Sequence, residues 1–307
     1  MTGRISLVFA AMVFAACADA PTAASPDVSP NSARLAGGNG TVQGEELIGL
    51  TSNNELVTFE SGKPNQTTSV VPITGLRAGE TVVGIDFRPS DTDGNSVNSS
   101  GKLYAVTNQS RLYIVDPATG VTSKPVMLSI TLNGTAFGVG FNPVVDRLRI
   151  HSNTNQNLRI NVETGVAIAD GPLAYSANDV NFGKDPDLTA SGYTNNDANL
   201  ATGTELYAID AAQDVLIEFG PPAGTAPNFT SGPNSGKLVT VGALGVDAGL
   251  MSGFDISLAT GTAYAVIGTS ASGKSTLYTI DLDTGAATKV GLLAQTKGAL
   301  LSVAVKP

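Results

Sequence analysis

The sequence predicts an all-β protein, a β-propeller of five four-stranded blades. Three observations support this fold: one pair of strands recurs five times, turns that run from an Asx residue to glycine connect strands, and one repeat is divided between the two ends of the repeated region. The composition agrees, because 35 Gly and 16 Pro suit many tight turns and only 14% of the residues are charged.

The recurring unit is a pair of apolar strands, and successive copies start about 45 to 58 residues apart. This spacing is typical of propeller blades of ~40 to 50 residues that carry loop insertions. The first strands are Leu47–Leu50, Leu103–Val106, Leu148–His151, Leu206–Ile209 and Ala263–Val266. The second strands are Leu56–Phe59, Leu112–Val115, Leu158–Asn161, Leu216–Phe219 and Leu277–Ile280.

Three turns share one pattern, with Asp or Asn in the first position and glycine in the last. They are Asp116–Gly120, Asn161–Gly165 and Asp281–Gly285. A type I turn closed by a left-handed glycine requires these residues, so each turn should lead into a further strand.

A third strand, which ends in proline, precedes the strand pair in two copies, at Gly84–Pro89 and Gly138–Pro143. A similar segment, Val303–Pro307, ends the chain with no strand pair after it, whereas the pair that starts at Leu47 has no such strand before it. The sequence therefore predicts closure between the C-terminal strand and the first blade, which removes sheet edges at the seam. A β-sandwich and a β-solenoid remain as alternative folds.

Several motifs resemble those of a bacterial secreted family catalogued as domain of unknown function 4394. They are Phe141–Ile150, Gln156–Asn161, Tyr193–Asn195 and Gly253–Ile256. The resemblance extends from Leu47 to Val305 and implies a β-propeller-like fold and export from the cell. It brings no established activity.

The N-terminus is typical of a targeting segment. Arg4 supplies a positive charge, and Ile5–Ala16 is an apolar run that is short for a membrane span. Phe14–Cys17 resembles a lipobox, and Cys17 is the only cysteine in the chain. We therefore expect residues 1–17 to be a lipoprotein signal peptide with lipidation at Cys17; simple secretion is the alternative.

This expectation gives three regions: the signal peptide and lipobox at 1–17, a flexible tether at 18–43, and a single propeller domain at 44–307. The predicted location is extracytoplasmic, as a membrane-anchored lipoprotein of the bacterial envelope or as a secreted protein. The membrane is then one partner, through the lipid anchor.

Charge and context exclude two classes of partner. The net charge of −9 repels phosphate backbones, so the sequence predicts no nucleic-acid binding. Gly268–Ser275 matches the GxxxxGKS pattern of a phosphate-binding loop, but that loop must open a helix. Here a predicted strand follows, so we expect no nucleotide binding.

Two carboxylates, Asp86 and Asp255, occupy equivalent positions in the strand that precedes the strand pair, where the other copies have very small residues. If that strand lines the central channel, the two could hold a cation such as Ca²⁺ or act as acid and base on a glycosidic bond. Alternatively, each accepts backbone amides at the channel wall. We predict no other cofactor.

The third blade departs from the others. Strand alternation places Arg147, Arg149 and His151 on one face, and Asn157 and Arg159 on the corresponding face of the next strand. A structural interpretation is a network between blades, with Asp146, Glu163 or Asp179 as partners. A functional interpretation is a site for an anion or a sugar acid.

These observations favour a non-enzymatic binding or scaffold module that presents a polar loop face to a glycan or a protein. The alternative is a carbohydrate-active hydrolase or lyase that uses Asp86 and Asp255.

Overall fold

The computed structural model describes residues 44–89, 101–197, 202–220, 232–268 and 274–307, which contain 21 β-strands and one short 3₁₀ helix. No helix in these ranges is long and apolar enough to cross a membrane. Cys17, the predicted tether and most of the GxxxxGKS motif lie outside the described residues.

The strands form five sheets. The first blade contains β1 (Glu46–Thr51), β2 (Glu55–Glu60) and β3 (Thr67–Pro72). The second contains β4 (Val82–Phe87), β5 (Leu103–Thr107), β6 (Arg111–Val115) and β7 (Val126–Met127). The third contains β8 (Phe137–Asn142), β9 (Arg147–Ser152), β10 (Asn157–Ile160) and β11 (Ala167–Ala169).

A short strand, β12 (Ala174–Tyr175), precedes the fourth blade, which contains β13 (Leu188–Tyr193), β14 (Leu206–Asp210), β15 (Val215–Phe219) and β16 (Lys237–Ala243). The 3₁₀ helix η1 (Pro233–Ser235) lies just before β16. The fifth blade contains β17 (Ser252–Ile256), β18 (Ala263–Gly268), β19 (Ser275–Ile280) and β20 (Ala287–Leu292), and β21 (Leu300–Val305) follows. The prediction of five four-stranded blades is confirmed; the fourth blade gains β12, which pairs in parallel with β16.

The inner strand of each blade contacts the inner strands of both neighbouring blades. The contacts run in order through β4, β8, β13, β17 and β21 and return to β4. A chain of contacts that returns to its start is a ring, so the arrangement is a β-propeller and not a sandwich or a solenoid.

The predicted closure is also confirmed. β21 pairs antiparallel with β1, with Leu47 opposite Val305 and Gly49 opposite Val303. The last strand of the chain thus becomes the inner strand of the first blade, and hydrogen bonds between the two ends hold the ring closed.

The three Asx turns have the predicted geometry. Asp116, Asn161 and Asp281 each accept backbone amides within the turn through Oδ1. Gly120, which ends the first turn, has a φ of 72°, and a Cβ there would lie 2.0 Å from the carbonyl oxygen of Pro72. Only glycine fits this position.

Candidate functional site

The seam between the third and fourth blades differs from the other four seams. Each of those four contains a hydrophobic cluster to which both adjoining blades contribute. The remaining cluster, which includes Tyr193 and Phe219, takes its members from the fourth blade and the segment before it, and none from β8–β11. The apolar face of the third blade packs on the second blade, so its other face meets the fourth blade with polar side chains.

The strand register explains this polar face. Arg149 of β9 lies opposite Gly140 of β8 and Arg159 of β10, while His151 lies opposite Gly138 and Asn157. All these residues share one side of the sheet, as the alternation of the sequence predicts.

Arg149 is almost completely buried and is held by four hydrogen bonds. Its Nε donates to the hydroxyl of Tyr193 (2.9 Å), and its Nη2 donates to Asn234 Oδ1 (2.7 Å). Its Nη1 donates to Asn157 Oδ1 (2.5 Å) and to Asp170 Oδ2 (3.0 Å). The side chain therefore joins the third blade to both β13 and η1 of the fourth.

Arg159 forms a bidentate pair with the same carboxylate. Its Nε lies 2.7 Å from Asp170 Oδ2 and its Nη2 lies 2.9 Å from Oδ1. Arg149 and Arg159 are cross-strand neighbours, and like charges in that position repel unless a counter-charge lies between them. Asp170 supplies one negative charge to two guanidinium groups, which leaves an excess of one positive charge.

A cavity of about 290 Å³ opens at this seam, and we name it the arginine cavity. Arg147, Arg149 and Arg159 line it, as three of the five residues predicted to bind a ligand. Its other walls come from Asn142, Val145, Tyr193, Pro233 and Asn234. The side chain of Arg159 is 31% exposed and Val145 is 51% exposed, so the cavity reaches the surface.

The uncharged polar groups of the cavity have their acceptor atoms in use. Asn142 Oδ1 accepts the amides of Val144 and Val145, and Asn234 Oδ1 accepts from Arg149. The hydroxyl oxygen of Tyr193 also accepts from Arg149. The groups on these three side chains that remain available to a ligand are N–H and O–H groups, so the lining is rich in hydrogen-bond donors.

The other two predicted ligand residues do not line the cavity. Asn157 supports Arg149 and donates to the carbonyls of Gly171 and Pro233. The ring of His151 is completely buried and contacts Phe219 at a centroid distance of 5.5 Å. Neither of its nitrogens has a hydrogen-bond partner among the residues that the structure describes. Burial, aided by the charge of Arg149, lowers the pKa of His151 to about 3, so the imidazole is neutral.

The prediction that Asp146, Glu163 or Asp179 pairs with the arginines was wrong for Arg149 and Arg159. These two side chains share Asp170. Asp146 and Glu163 instead bind Arg88 of the second blade, at 2.6 Å each. Asp179 accepts from the amide and the hydroxyl of Thr240. The sequence contains several acidic residues near the third blade, and only the packing of blades selects among them.

The two channel carboxylates join neighbouring inner strands. Asp86 accepts the amide of Phe87 on Oδ1 (2.8 Å) and that of Phe141 in the next blade on Oδ2 (2.6 Å). Asp255 accepts the amide of Ile256 (2.8 Å) and that of Val305 across the closing seam (2.7 Å). These contacts fit the structural interpretation, in which each carboxylate accepts backbone amides at the channel wall.

Both carboxyl groups have raised pKa values. Burial is the main cause for Asp86, and the nearby charge of Asp255 adds to it, against the two amide hydrogen bonds. Burial raises the pKa of Asp255 to about 7, again against its two amide bonds. Within the described ranges, no group of three or more His, Cys, Asp or Glu side chains is arranged to hold a metal ion.

Ser275, the last residue of the GxxxxGKS match, begins strand β19. The helix that a phosphate-binding loop needs is therefore replaced by a strand at this position.

Sequence reasoning did not identify Asp170, Tyr193, Asn142 or Asn234 as parts of this region. Strand pairing could have identified Asn142, because this residue lies opposite Arg147 at the start of the β8–β9 turn. Asn234 is 85 residues from Arg149 and carries no local signal.

Comparisons with known proteins give the chain a family and no activity. A family model described as a domain of unknown function, DUF4394, matches residues 55–304. Among solved structures, a chain in the crystal structure of BBS1N in complex with ARL6DN, soaked with lead, is 12% identical with a TM-score of 0.34. That match covers 83% of this chain, which spans 65% of the other chain's length.

A crystal structure of a protein from Lactobacillus plantarum is 16% identical with a TM-score of 0.37, over 84% of this chain and 70% of that one. No curated protein matches the chain. Because the family model spans most of the sequence, the chain belongs to the family of the domain of unknown function DUF4394.

Proposed function

We propose that this propeller is a non-enzymatic binding module and that it binds an anionic ligand, a group on a glycan or a protein, in the arginine cavity. One observation carries the proposal: the only seam among the described blades without a shared hydrophobic cluster is the one where three arginines surround a cavity open to the surface. Arginine forks suit carboxylates and other planar anions.

The excess positive charge supports an anion as the ligand. Arg149 and Arg159 share a single carboxylate, and Arg149 is too well buried for solvent to screen it fully. The chain as a whole carries a net charge of −9, so this positive region lies in an acidic protein. Selective attraction of an anion to one place follows from that contrast, whereas a nucleic-acid backbone would meet a repulsive surface.

The channel offers less support for catalysis. Each oxygen of Asp86 and Asp255 accepts a backbone amide, so both carboxyl groups are engaged in holding inner strands together. The inner strands also lie close: a Cβ on Gly253 would approach the backbone nitrogen of Val303 to 2.5 Å. Glycosidic hydrolysis needs two carboxyl groups with room for the sugar between them.

We further propose that the protein is extracytoplasmic and is anchored to the envelope membrane by lipid on Cys17. The proposal depends on the lipobox-like Phe14–Cys17 and on the absence of any second cysteine in the sequence. Expression of the full chain in bacteria fed a radiolabelled fatty acid tests it. Label should enter the wild-type protein and be lost in Cys17→Ala, and equal labelling of both would refute the anchor.

Binding in the cavity is tested by the change in Tm that anions produce in the purified chain. Glucuronate, phosphate and acetate are the probes, each added as the sodium salt with sodium chloride as the reference. At least one probe should raise the Tm of the wild type, and Arg159→Gln should abolish that rise. The folding of the variant is protected because Asp170 keeps its bond to Arg149.

The matched control is Arg77→Gln, which removes the same charge from an exposed side chain in the loop between the first two blades. This variant should keep the full response. If no anion stabilises the wild type more than Arg159→Gln, the arginine cavity is not an anion site and the proposed function is wrong.

A further inference from the structure

We infer that the ligand of the arginine cavity is a hexuronic acid residue of an acidic glycan, with its carboxylate at the arginines and its ring against the other lining residues. This inference rests on the proposed function and adds the chemical class of the ligand. Three properties of the cavity lead to it: the number of donors left for the anion, the chemistry of the remaining walls, and the size.

The first property is the set of guanidinium donors that remain for a ligand. Arg149 has five N–H groups, and four of them already bond to Tyr193, Asn157, Asp170 and Asn234. Arg159 uses two of its five donors on Asp170, so the two side chains keep one and three donors for a ligand. A carboxylate is planar and monovalent and is satisfied by a few in-plane donors, whereas a phosphate carries about two charges and more acceptor oxygens.

The excess positive charge agrees with an anionic ligand. Arg149 and Arg159 share the carboxylate of Asp170, and Arg147 lines the same cavity with a third guanidinium group. A ligand carboxylate can therefore bind here without leaving a buried negative excess, which would be costly.

The second property is the rest of the lining. Val145 and Pro233 are apolar, and Asn142 and Asn234 are polar. The amide oxygens of both asparagines are used within the protein, so each presents its NH₂ group as a donor. Apolar groups and donors together suit a sugar ring, whose C–H groups pack on apolar surface and whose hydroxyl oxygens accept hydrogen bonds.

The third property is the volume of about 290 Å³, at the low end of the range for small-molecule sites. The cavity is therefore suited to a single ring and not to a longer segment. Because Val145 and Arg159 are partly exposed, the neighbouring residues of a glycan chain can extend from this ring into solvent.

The test is a set of calorimetric titrations of the full chain with glucuronate, galacturonate, glucose, acetate and inorganic phosphate at constant ionic strength. We expect at least one uronate to bind at least tenfold more tightly than acetate and phosphate, and glucose to give no measurable binding. The uronate needs both its carboxylate and its ring, since acetate lacks the ring and glucose lacks the charge.

A variant sharpens the test. Asn234→Asp keeps an oxygen to accept from Arg149 but replaces the donor NH₂ with a second acceptor and adds a negative charge, so uronate affinity should fall at least tenfold. The matched control is Asn108→Asp, at an exposed asparagine in the β5–β6 turn of the second blade. Its Oδ1 also accepts a hydrogen bond, from the backbone amide of Thr81, and the residue does not line the cavity. This control should bind like the wild type.

The outcomes separate the inference from the proposed function. Phosphate binding as tightly as uronate, or acetate binding as tightly as uronate, overturns the uronate inference and leaves an anion-binding module. Equal uronate affinity in Asn234→Asp and in the wild type also overturns it. If none of the anions binds, both the inference and the proposed function fail.

Discussion

Three buried groups should make the stability of this protein depend on pH in opposing ways. Two of them lower the stability as the pH rises, and the third raises it. They are Asp86 and Asp255 at the centre of the ring and His151 in the third blade. The decisive change is Asp255→Asn, which removes one titrating carboxyl group at nearly constant side-chain size. The amide can accept only one of the two backbone N–H groups that the carboxylate accepts, and this cost does not vary with pH.

Burial raises the pKa of Asp255 from 3.8 to about 7. The folded protein therefore holds this proton more tightly than the unfolded chain does. The resulting stabilisation is complete below the unfolded pKa and is lost as the pH rises through about 7. At 1.36 kcal/mol per pKa unit the loss is about 4 kcal/mol for Asp255. Asp86 acts in the same direction, since its pKa is raised too.

His151 acts in the opposite direction. Burial lowers its pKa from 6.5 to about 3, so the folded protein binds this proton less tightly than the unfolded chain. Its contribution is complete above the unfolded pKa and is lost as the pH falls toward 3, by about 5 kcal/mol in all. Between about pH 4 and 6.5 the two effects oppose each other, and above pH 6.5 only the carboxyl groups remain.

Urea unfolding from pH 4 to 8, followed by far-ultraviolet circular dichroism because the chain has no Trp, measures these effects. The wild type should lose stability from pH 4 to 7, because the two carboxyl groups outweigh the single histidine. Asp255→Asn should vary little between pH 4 and 6.5, because the remaining carboxyl group of Asp86 and the imidazole of His151 then act in opposite directions. The stability of the wild type relative to this variant should fall by about 4 kcal/mol from pH 4 to 7.5.

His151 can be tested in the same way, because it is the sole histidine of the chain. His151→Phe should lose stability more steeply than the wild type between pH 4 and 6.5, since only the carboxyl effect is left there. The control is Asp247→Asn at an exposed carboxylate, which should follow the wild type. If the difference between the wild type and Asp255→Asn does not change between pH 5 and 8, buried ionisation of this carboxyl group does not govern stability and the reasoning fails.

The remaining predictions concern stability at constant pH, each measured by urea unfolding. Gly253→Ala should cost about 1–3 kcal/mol, because its Cβ would meet the backbone of β21 at 2.5 Å, whereas at Gly249 the nearest atom to a new Cβ is 3.9 Å away and alanine should be tolerated. Asp170→Asn should cost about 3–5 kcal/mol, because it removes the charge that Arg149 and Arg159 share; a loss below 1 kcal/mol would contradict this. Arg88→Met should cost a similar amount, about 3–5 kcal/mol, since it breaks a completely buried pair with Asp146; unchanged stability would show that this ion pair is dispensable.

The sequence predicts the ring well because most of the blades are encoded by short sequence patterns that repeat along the chain. Five strand pairs and three Asx turns are each specified by neighbouring residues. The closure follows from the repeat, because Val303–Pro307 supplies the strand that the first pair lacks. The extra strand β12 escaped prediction, since it is two residues long and pairs with β16 more than 60 residues away. Long-range parallel pairing of this kind has no local signature.

The candidate site was predictable only in part, for the same reason. Alternation along β9 and β10 places Arg147, Arg149 and Arg159 on one face, and the structure places all three around one cavity. The identity of their partners depends on which loop of the fourth blade reaches the third. Asp170 follows the end of β11, and Asn234 belongs to a 3₁₀ helix beyond β15, so neither position follows from strand periodicity.

The seams between blades differ in what holds them together, and this difference explains where a ligand can bind in the ring. Four seams bury apolar side chains from both adjoining blades, and burial of that kind supplies most of the stability of a folded domain. At the centre, inner strands lie so close that a Cβ on Gly192 would come within 3.0 Å of the Asp255 Cα. A polar cavity in either place would weaken the closure of the ring. The seam between the third and fourth blades is held by the hydrogen bonds of Arg149 instead, so it can carry charge and an opening to solvent while the other four seams keep the ring intact.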